Sequence, residues 1–317
     1  MSLSAPHPLR IATRASRLAL WQANHVAGLL RQISPETTVE IVHIATVGDR
    51  DQTERLSAFG GLGVFTREVQ KAVLDGAAQI AVHSLKDLPT EPTPELALAG
   101  VPERETTADS LVLPTTANGA ADLATLPEGA RLGTGSLRRR AQLLHFRSDL
   151  QMLDVRGNVE TRLKKLDAGE YDGLILAVAG LKRLGLEGRV SQELSPPLMY
   201  PAAGQGALGI ECRSDDIETA ALLAQVDDPL TRSRVTAERA LLSALRAGCH
   251  APVGAFTRCE GNELVLEAVV YSPDGKERIF ASGRDLMANS ADMGRDVAER
   301  LLAKGANRLI ASAAPGR

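Results

Sequence analysis

Aromatic side chains are scarce in this 317-residue chain, with one Trp, three Tyr and five Phe. So few rings make a stacking platform for nucleic-acid bases an unexpected use of the fold. Cysteine is scarcer still. Cys212, Cys249 and Cys259 are odd in number and form no CxxC, which argues against a disulfide framework and a thiolate zinc site, so no metal is expected. Neither sign of charge dominates: 36 Lys+Arg against 39 Asp+Glu leave a formal net charge of −3. Nothing in that balance points to a nucleic-acid or membrane partner. No apolar run approaches the roughly 20 residues of a membrane span. The segment before Ile11 is polar and contains Pro, without the apolar stretch of a signal peptide, so a cytoplasmic protein is expected. No GxxxxGK[ST] occurs, and no GxGxxG stands between a strand and a helix, so no nucleotide fingerprint is present.

What is present fits a soluble globular protein of more than one domain, since 317 residues exceed one ordinary core. Strand and helix signals alternate through the first two thirds. The apolar run Leu9 to Thr13 leads into Ser16, a good N-cap. Leu18, Trp21, Val26, Leu29 and Leu30 then fall mostly at helical spacing up to Arg31. Val39 to Thr46 predicts a strand, Thr66 to Asp75 a helix stopped by Gly76, and Ile80 to Val82 a buried strand. A second series follows. Strands are predicted at Ser110–Leu113, Ala130–Gly133, Leu150–Val155 and Leu174–Val178, and helices at Ser136–Arg147 and Val159–Ala168. This alternation predicts α/β architecture. The strand-to-helix turns at Ile11 to Ser16 and Leu132 to Ser136 echo one another, which fits two similar lobes. Gly204-Gln205-Gly206 predicts a tight backbone crossing. After a helix to Arg246 the pattern becomes three strands, with a hairpin turn at Ser272-Pro273-Asp274-Gly275, and a closing helix from Ala291 to Lys304.

The chemistry gathers at predicted strand ends. Arg14 and Lys86 each follow a strand. Arg138, Arg139 and Arg140 open a helix, Arg156 follows Val155, Arg162 lies on the next helix, and Arg183 follows the strand ending at Val178. Ligands of open α/β sheets bind beyond the carboxyl ends of the strands, and Arg suits bidentate carboxylate recognition. Any one of these is a solvated surface cation by default; their shared placement favours a polyanion cleft. Cations in a first helical turn oppose the helix dipole, so Arg138, Arg139 and Arg140 cost stability unless an anion meets them, and one of the three is expected to face away. Asp87 stands among these cations. It is either half of a structural ion pair or a stabiliser of a cationic intermediate. Cys249 lies in the irregular stretch Ala247 to Pro252, which raises the chance of covalent use, whereas Cys212 and Cys259 sit in strand-like patterns and are read as core.

Eight collinear motifs over residues 9–260 resemble the porphobilinogen deaminase (hydroxymethylbilane synthase) family. They are Arg10-Ile11-Ala12-Thr13-Arg14-Ala15-Ser16, Ala81-Val82-His83-Ser84-Leu85-Lys86-Asp87-Leu88-Pro89, Gly133-Thr134-Gly135-Ser136-Leu137-Arg138-Arg139 and Arg156-Gly157-Asn158-Val159 with Arg162. Leu176 to Gly185, Pro201 to Gly206, Glu211-Cys212-Arg213 and Gly248-Cys249 complete the set. The resemblance implies a transferase of porphyrin and haem biosynthesis, in which Cys249 holds a dipyrromethane cofactor by a thioether. Porphobilinogen loses ammonia to give an azafulvene, four units add to the tethered chain, and hydrolysis releases hydroxymethylbilane. By the same resemblance Asp87 is catalytic. Lys86, Ser84, Thr134, Ser136, Arg138, Arg139, Arg162 and Arg183 bind the cofactor, and Arg14, Ser16, Arg156, Phe65 and Gln205 the substrate. The partner implied is porphobilinogen, with no nucleic acid, no membrane and a monomeric chain.

The implied fold has two periplasmic-binding-protein-like α/β lobes around a cleft plus a small α+β C-terminal domain. Residues 1–104 and 205–227 form the first lobe, 105–204 the second, and 228–317 the domain that carries the cofactor cysteine. A lid is implied at Asp49 to Gly61. Two positions depart from the family pattern: Leu62 replaces a lysine and Gly135 a serine. The rivals are a non-catalytic two-lobed anion-binding module, which needs neither Cys249 nor Asp87, and a cysteine hydrolase using Cys249 with His250.

Overall fold

The computed structural model describes residues 8–45, 66–116, 122–248 and 251–313. Phe65, Leu62, the Asp49–Gly61 segment, Cys249 and His250 therefore lie outside the described residues. In chain order the first elements are β1 (Leu9–Arg14), α1 (Arg17–Ile33), β2 (Val39–Ile44), α2 (Arg67–Leu74), β3 (Ile80–Ser84), β4 (Leu96–Gly100) and β5 (Asp109–Val112). Then come β6 (Arg131–Gly133), α3 (Leu137–Phe146), β7 (Gln151–Leu153), α4 (Val159–Asp167), β8 (Gly173–Ala177), α5 (Val178–Arg183), β9 (Gln192–Leu194) and β10 (Leu208–Arg213). The last are α6 (Ile217–Leu223), α7 (Pro229–Ala244), β11 (Val253–Glu260), β12 (Glu263–Tyr271), β13 (Arg278–Leu286), α8 (Ser290–Ala303) and α9 (Ala306–Ser312). Two compact units result: Met1–Arg104 with Ala207–Arg232, and Glu105–Gly206 with Ser233–Arg317.

The first unit holds a five-stranded sheet in the order β2-β1-β3-β10-β4. β1 runs parallel to β2 and β3, while β10 is antiparallel to both β3 and β4. Strand alternation sends Ile80 and Val82 to one face and Ala81 to the other. On the first face α1 contributes Ala23, Val26, Ala27 and Leu30 to a core with Ile11, Ile210 and Cys212. On the second, Val69, Ala72 and Val73 of α2 pack on Ala12, Ala81 and Leu96. Burying a side chain such as Leu30 fully is worth up to about 1.5–3 kcal/mol, so these two faces, rather than intrinsic propensity, hold the helices in place.

The second unit contains a sheet in the order β7-β6-β8-β5-β9. Its pairing repeats that of the first: three parallel strands, then two antiparallel steps. The echo between the two strand-to-helix turns is thus an echo of whole sheets. The same unit carries a three-stranded antiparallel sheet, β11-β12-β13, whose core joins Leu241 of α7, Leu266 of β12 and Val297 and Leu301 of α8. The Ser272–Gly275 turn forms as predicted, with the Gly275 N–H donating to the Ser272 carbonyl at 2.9 Å. Gly275 has φ +75°, and a Cβ there would sit 2.6 Å from the Ala141 carbonyl oxygen and the His145 nitrogen, so the turn packs on α3 only because it ends in glycine.

Two strands, β4 and β9, were not expected from the sequence. β10 was expected only in part: Cys212 sits in a strand-like pattern, but the extent of the strand and its pairing were not read. It is buried throughout except at its last residue, since it lies between β3 and β4 with helices on both faces.

Candidate active site

In the first unit the candidate residues gather at one edge of the sheet. β1 and β3 are adjacent and parallel, so Arg14, Ser16, Ser84, Lys86 and Asp87 all lie at or just beyond the carboxyl ends of neighbouring strands. Ser16 caps α1, its hydroxyl accepting the Ala19 N–H at 3.3 Å. Ser84 accepts the Gln22 amide at 2.7 Å, which ties the end of β3 to α1. Below it, the His83 ring lies 3.1 Å from the Glu211 carboxylate. That carboxylate also accepts Gln70 Nε2 at 2.9 Å, so a buried polar group braces β3 against α2 and β10.

A single 3-10 turn, Leu85–Asp87, follows. The Leu85 N–H donates to the Ala207 carbonyl at 3.0 Å, the Leu88 N–H to the Leu85 carbonyl at 3.2 Å, and both leucine side chains are buried. With its two ends pinned in the core, the turn presents Lys86 half-buried and Asp87 exposed. Asp87 makes no ion pair or hydrogen bond among the described residues.

In the second unit β7, β6 and β8 are adjacent and parallel. Thr134 and Ser136 follow β6, Arg156 follows β7, and Arg183 ends α5 after β8, again beyond one sheet edge. Arg162 sits on α4 and donates Nε to the Gly157 carbonyl at 2.8 Å. Ser136 caps α3 by accepting the Arg139 N–H, and Thr134 Oγ1 accepts the Ser136 N–H at 3.2 Å. Arg156 is half-buried and lies 3.4 Å from Asp154.

The arginines that open α3 correct one expectation. They were expected to need an external anion; the anion they meet first is internal. Arg138 and Arg139 are only 5% and 7% exposed, while Arg140 is the one that faces out. Asp109, the first residue of β5, is fully buried. It accepts Arg138 Nη1 at 2.8 Å on one oxygen and Arg139 Nη2 and Nε at 2.7 and 3.0 Å on the other. Burial alone raises the Asp109 pKa, but the two guanidiniums override it and hold the carboxyl far below the usual range. Burial lowers the Arg138 pKa against the pull of Asp109. Asp109 escaped the sequence reading, although the signal was there: an acid heading the buried run Ser110-Leu111-Val112 must have partners.

Gln205 is a second correction. It was expected to touch substrate, yet it is 0% exposed, and its Nε2 donates to the Thr107 carbonyl at 2.7 Å and to Asp109 at 2.9 Å. A side-chain amide has two N–H donors, and both are used inside the protein. The crossing itself forms as expected. Gly206 has φ +85°, and a Cβ would lie 2.4 and 2.6 Å from the Glu105 and Thr106 carbonyl oxygens. The Gly206 carbonyl in turn accepts Arg183 Nη2 at 2.6 Å. Burial lowers the Arg183 pKa to about 10, partly opposed by Glu105, so its guanidinium stays charged at neutral pH. Of the remaining cysteines, Cys212 is buried in the first core, as expected, with its pKa raised to about 11 by burial. Cys259 is half-buried against the third sheet's core.

The model of a known family described as "Porphobilinogen deaminase, dipyromethane cofactor binding domain" matches residues 9–221, and its C-terminal-domain counterpart matches residues 233–303. The chain belongs to the porphobilinogen deaminase family. A porphobilinogen deaminase of Xanthomonas euvesicatoria pv. vesicatoria (strain 85-10) is 48% identical over 303 residues, covering 96% of this chain and 98% of that protein. The one from Xanthomonas oryzae pv. oryzae (strain PXO99A) is 48% identical over 304 residues, covering 96% and 99%. A looser likeness runs to the periplasmic aliphatic sulphonate binding protein SsuA from Escherichia coli, at 15% identity and TM-score 0.39, covering 76% of this chain and 75% of that one.

Porphobilinogen deaminase is a transferase, and the non-catalytic module is not the favoured reading. The residues present fit the family's dipyrromethane. Each pyrrole of that cofactor carries two carboxylates, which call for cations, and N–H groups, which call for an acceptor. Arg138 is held through Nη1 alone, leaving its Nε–Nη2 edge without an acceptor among the described residues, and Asp87 is an exposed carboxylate beside Lys86. No helix among the described residues is long and apolar enough to cross a membrane.

Proposed function

We propose that this chain is hydroxymethylbilane synthase: it condenses four porphobilinogen molecules with loss of ammonia and releases hydroxymethylbilane by hydrolysis, as a cytoplasmic monomer. The observation that carries the reading is Asp87, exposed and unpaired among the described residues, on a turn whose ends are anchored by buried Leu85 and Leu88. Cys249 is the attachment point of the dipyrromethane, which when bound supplies the nucleophilic pyrrole onto which new units are added.

The chain's own residues do the rest. Asp87 accepts hydrogen bonds from pyrrole N–H groups through its Oδ atoms, stabilises positive charge on ring nitrogen and shuttles protons there. Lys86, Arg138, Arg139, Arg162 and Arg183 hold cofactor carboxylates, with Ser84, Thr134 and Ser136 adding hydroxyls. Arg14, Ser16 and Arg156 hold those of the substrate, and Phe65, outside the described residues, is assigned to the substrate with them. Gln205 serves the site through Asp109 rather than by touching substrate. We also propose three domains: residues 1–104 with 205–227, 105–204, and 228–317. Separate cores for the second and third sheets support dividing the second compact unit in two.

The test is stoichiometry. Purified protein given porphobilinogen should release four ammonia molecules per bilane, and Asp87→Ala should fold normally while losing about 10²-fold or more of the turnover. Ammonia release without a tetrapyrrole, or a normally active Asp87→Ala protein, would contradict this assignment.

A further inference from the structure

Two arginines share one carboxylate in the second unit, and all three side chains are at least nine-tenths buried. A structural ion pair needs one cation. The second guanidinium leaves a net positive charge in a site that solvent barely reaches, which is costly unless an anion completes it. The geometry also distinguishes the two arginines. Arg139 gives Asp109 its Nε–Nη2 edge and sends Nη1 to the Ile175 carbonyl at 3.0 Å. Arg138 is gripped only at Nη1, by Asp109 at 2.8 Å and by the Tyr200 carbonyl at 2.6 Å. That carbonyl is fixed in turn by Gln142, which donates to it at 3.0 Å and accepts the Tyr200 N–H at 2.7 Å. The planar fork of Arg138 is therefore locked in rotation with its Nε–Nη2 edge left over, the edge suited to a bidentate carboxylate.

We propose that Asp109 is a positioning residue: it orients both arginines, leaves the Arg138 Nε–Nη2 edge for one pyrrole-borne carboxylate, and sets the cluster at a single net positive charge so that one such anion neutralises it. Gln205 extends the device, because its amide ties Asp109 to the Thr107 carbonyl. The inference rests on the function proposed above and adds the residue that prepares the carboxylate site without touching the ligand.

The experiment compares wild type, Asp109→Asn and Gln205→Met, each produced as full chain with porphobilinogen available. The fraction of chains carrying the added cofactor mass is read by intact mass spectrometry as a function of porphobilinogen concentration. The expected result for folded Asp109→Asn is a loaded fraction well below wild type, with the porphobilinogen concentration that half-saturates loading raised about ten-fold. Folded Asp109→Asn that loads fully at the wild-type concentration would overturn the proposal. Should Asp109→Asn fail to fold, Gln205→Met decides: a raised half-saturating concentration supports the proposal, and wild-type loading overturns it. Wild type separates this inference from the function itself, for a wild-type chain without added mass contradicts the function, whereas a loaded wild type beside fully loaded variants contradicts only Asp109's role.

Discussion

Replacing Gly206 by Ala tests the chain crossing that the candidate site leans on. Two costs add there. At φ +85° an L-residue sits in the left-handed region, a penalty of about 1–2 kcal/mol. The new Cβ would also stand 2.4 Å from the Glu105 carbonyl oxygen and 2.6 Å from that of Thr106. Neither atom belongs to a flexible side chain, so backbone must move, at about 1–3 kcal/mol. Gly185→Ala provides the control, for Gly185 also has positive φ, +68°, but nothing lies within 4 Å of its Cβ position. Gly206→Ala should therefore destabilise by about 2–5 kcal/mol and Gly185→Ala by about 1–2 kcal/mol. At about 2–4 °C per kcal/mol, the two melting temperatures should separate clearly in a calorimetric or circular-dichroism scan. Equal shifts for both variants would refute the close approach of residues 105–106 to Gly206.

Other expectations follow from single contacts. Ser136→Ala should lower stability by about 1 kcal/mol in denaturant unfolding, because the hydroxyl caps α3. With a pKa raised to about 11, Cys212 should resist alkylation at pH 8 until the protein unfolds, while half-buried Cys259 reacts sooner; early loss of the Cys212 peptide's free thiol would contradict this. Asp109 has a folded pKa depressed below its unfolded value of about 3.9, so its stabilisation is complete above that pH and lost as pH falls toward the folded value. The melting temperature of Asp109→Asn should accordingly fall less steeply than that of wild type between about pH 5 and pH 3.

Local features of the fold were legible in the sequence. Ser16 and Ser136 mark helix starts, Ser272 to Gly275 marks a hairpin, and the alternation of short apolar runs with helical spacing marks two α/β sheets. These signals are readable because each depends on a few neighbouring residues. The insertion of β10 between β3 and β4 was not, since its partners lie more than a hundred residues away and its composition shows no alternation. The site divides in the same way. Strand-end positions of Lys86, Asp87, Arg156 and Arg183 were readable, but the partners of the α3 arginines were not. Asp109 reaches them from 29 and 30 positions earlier, and nothing local to Leu137-Arg138-Arg139-Arg140 reveals that their first anion is a neighbour in the fold. Gln205 was assigned to substrate by the family resemblance, and its burial depends on contacts with Thr107 and Asp109 about a hundred positions earlier.

The most direct test of the central claim is the intact mass of the purified chain beside Cys249→Ser. Wild type folded with porphobilinogen available should exceed its sequence mass by two linked pyrrole units, and the excess should vanish in Cys249→Ser. A wild-type chain at its bare sequence mass, or a variant that keeps the excess, would contradict a dipyrromethane held at Cys249.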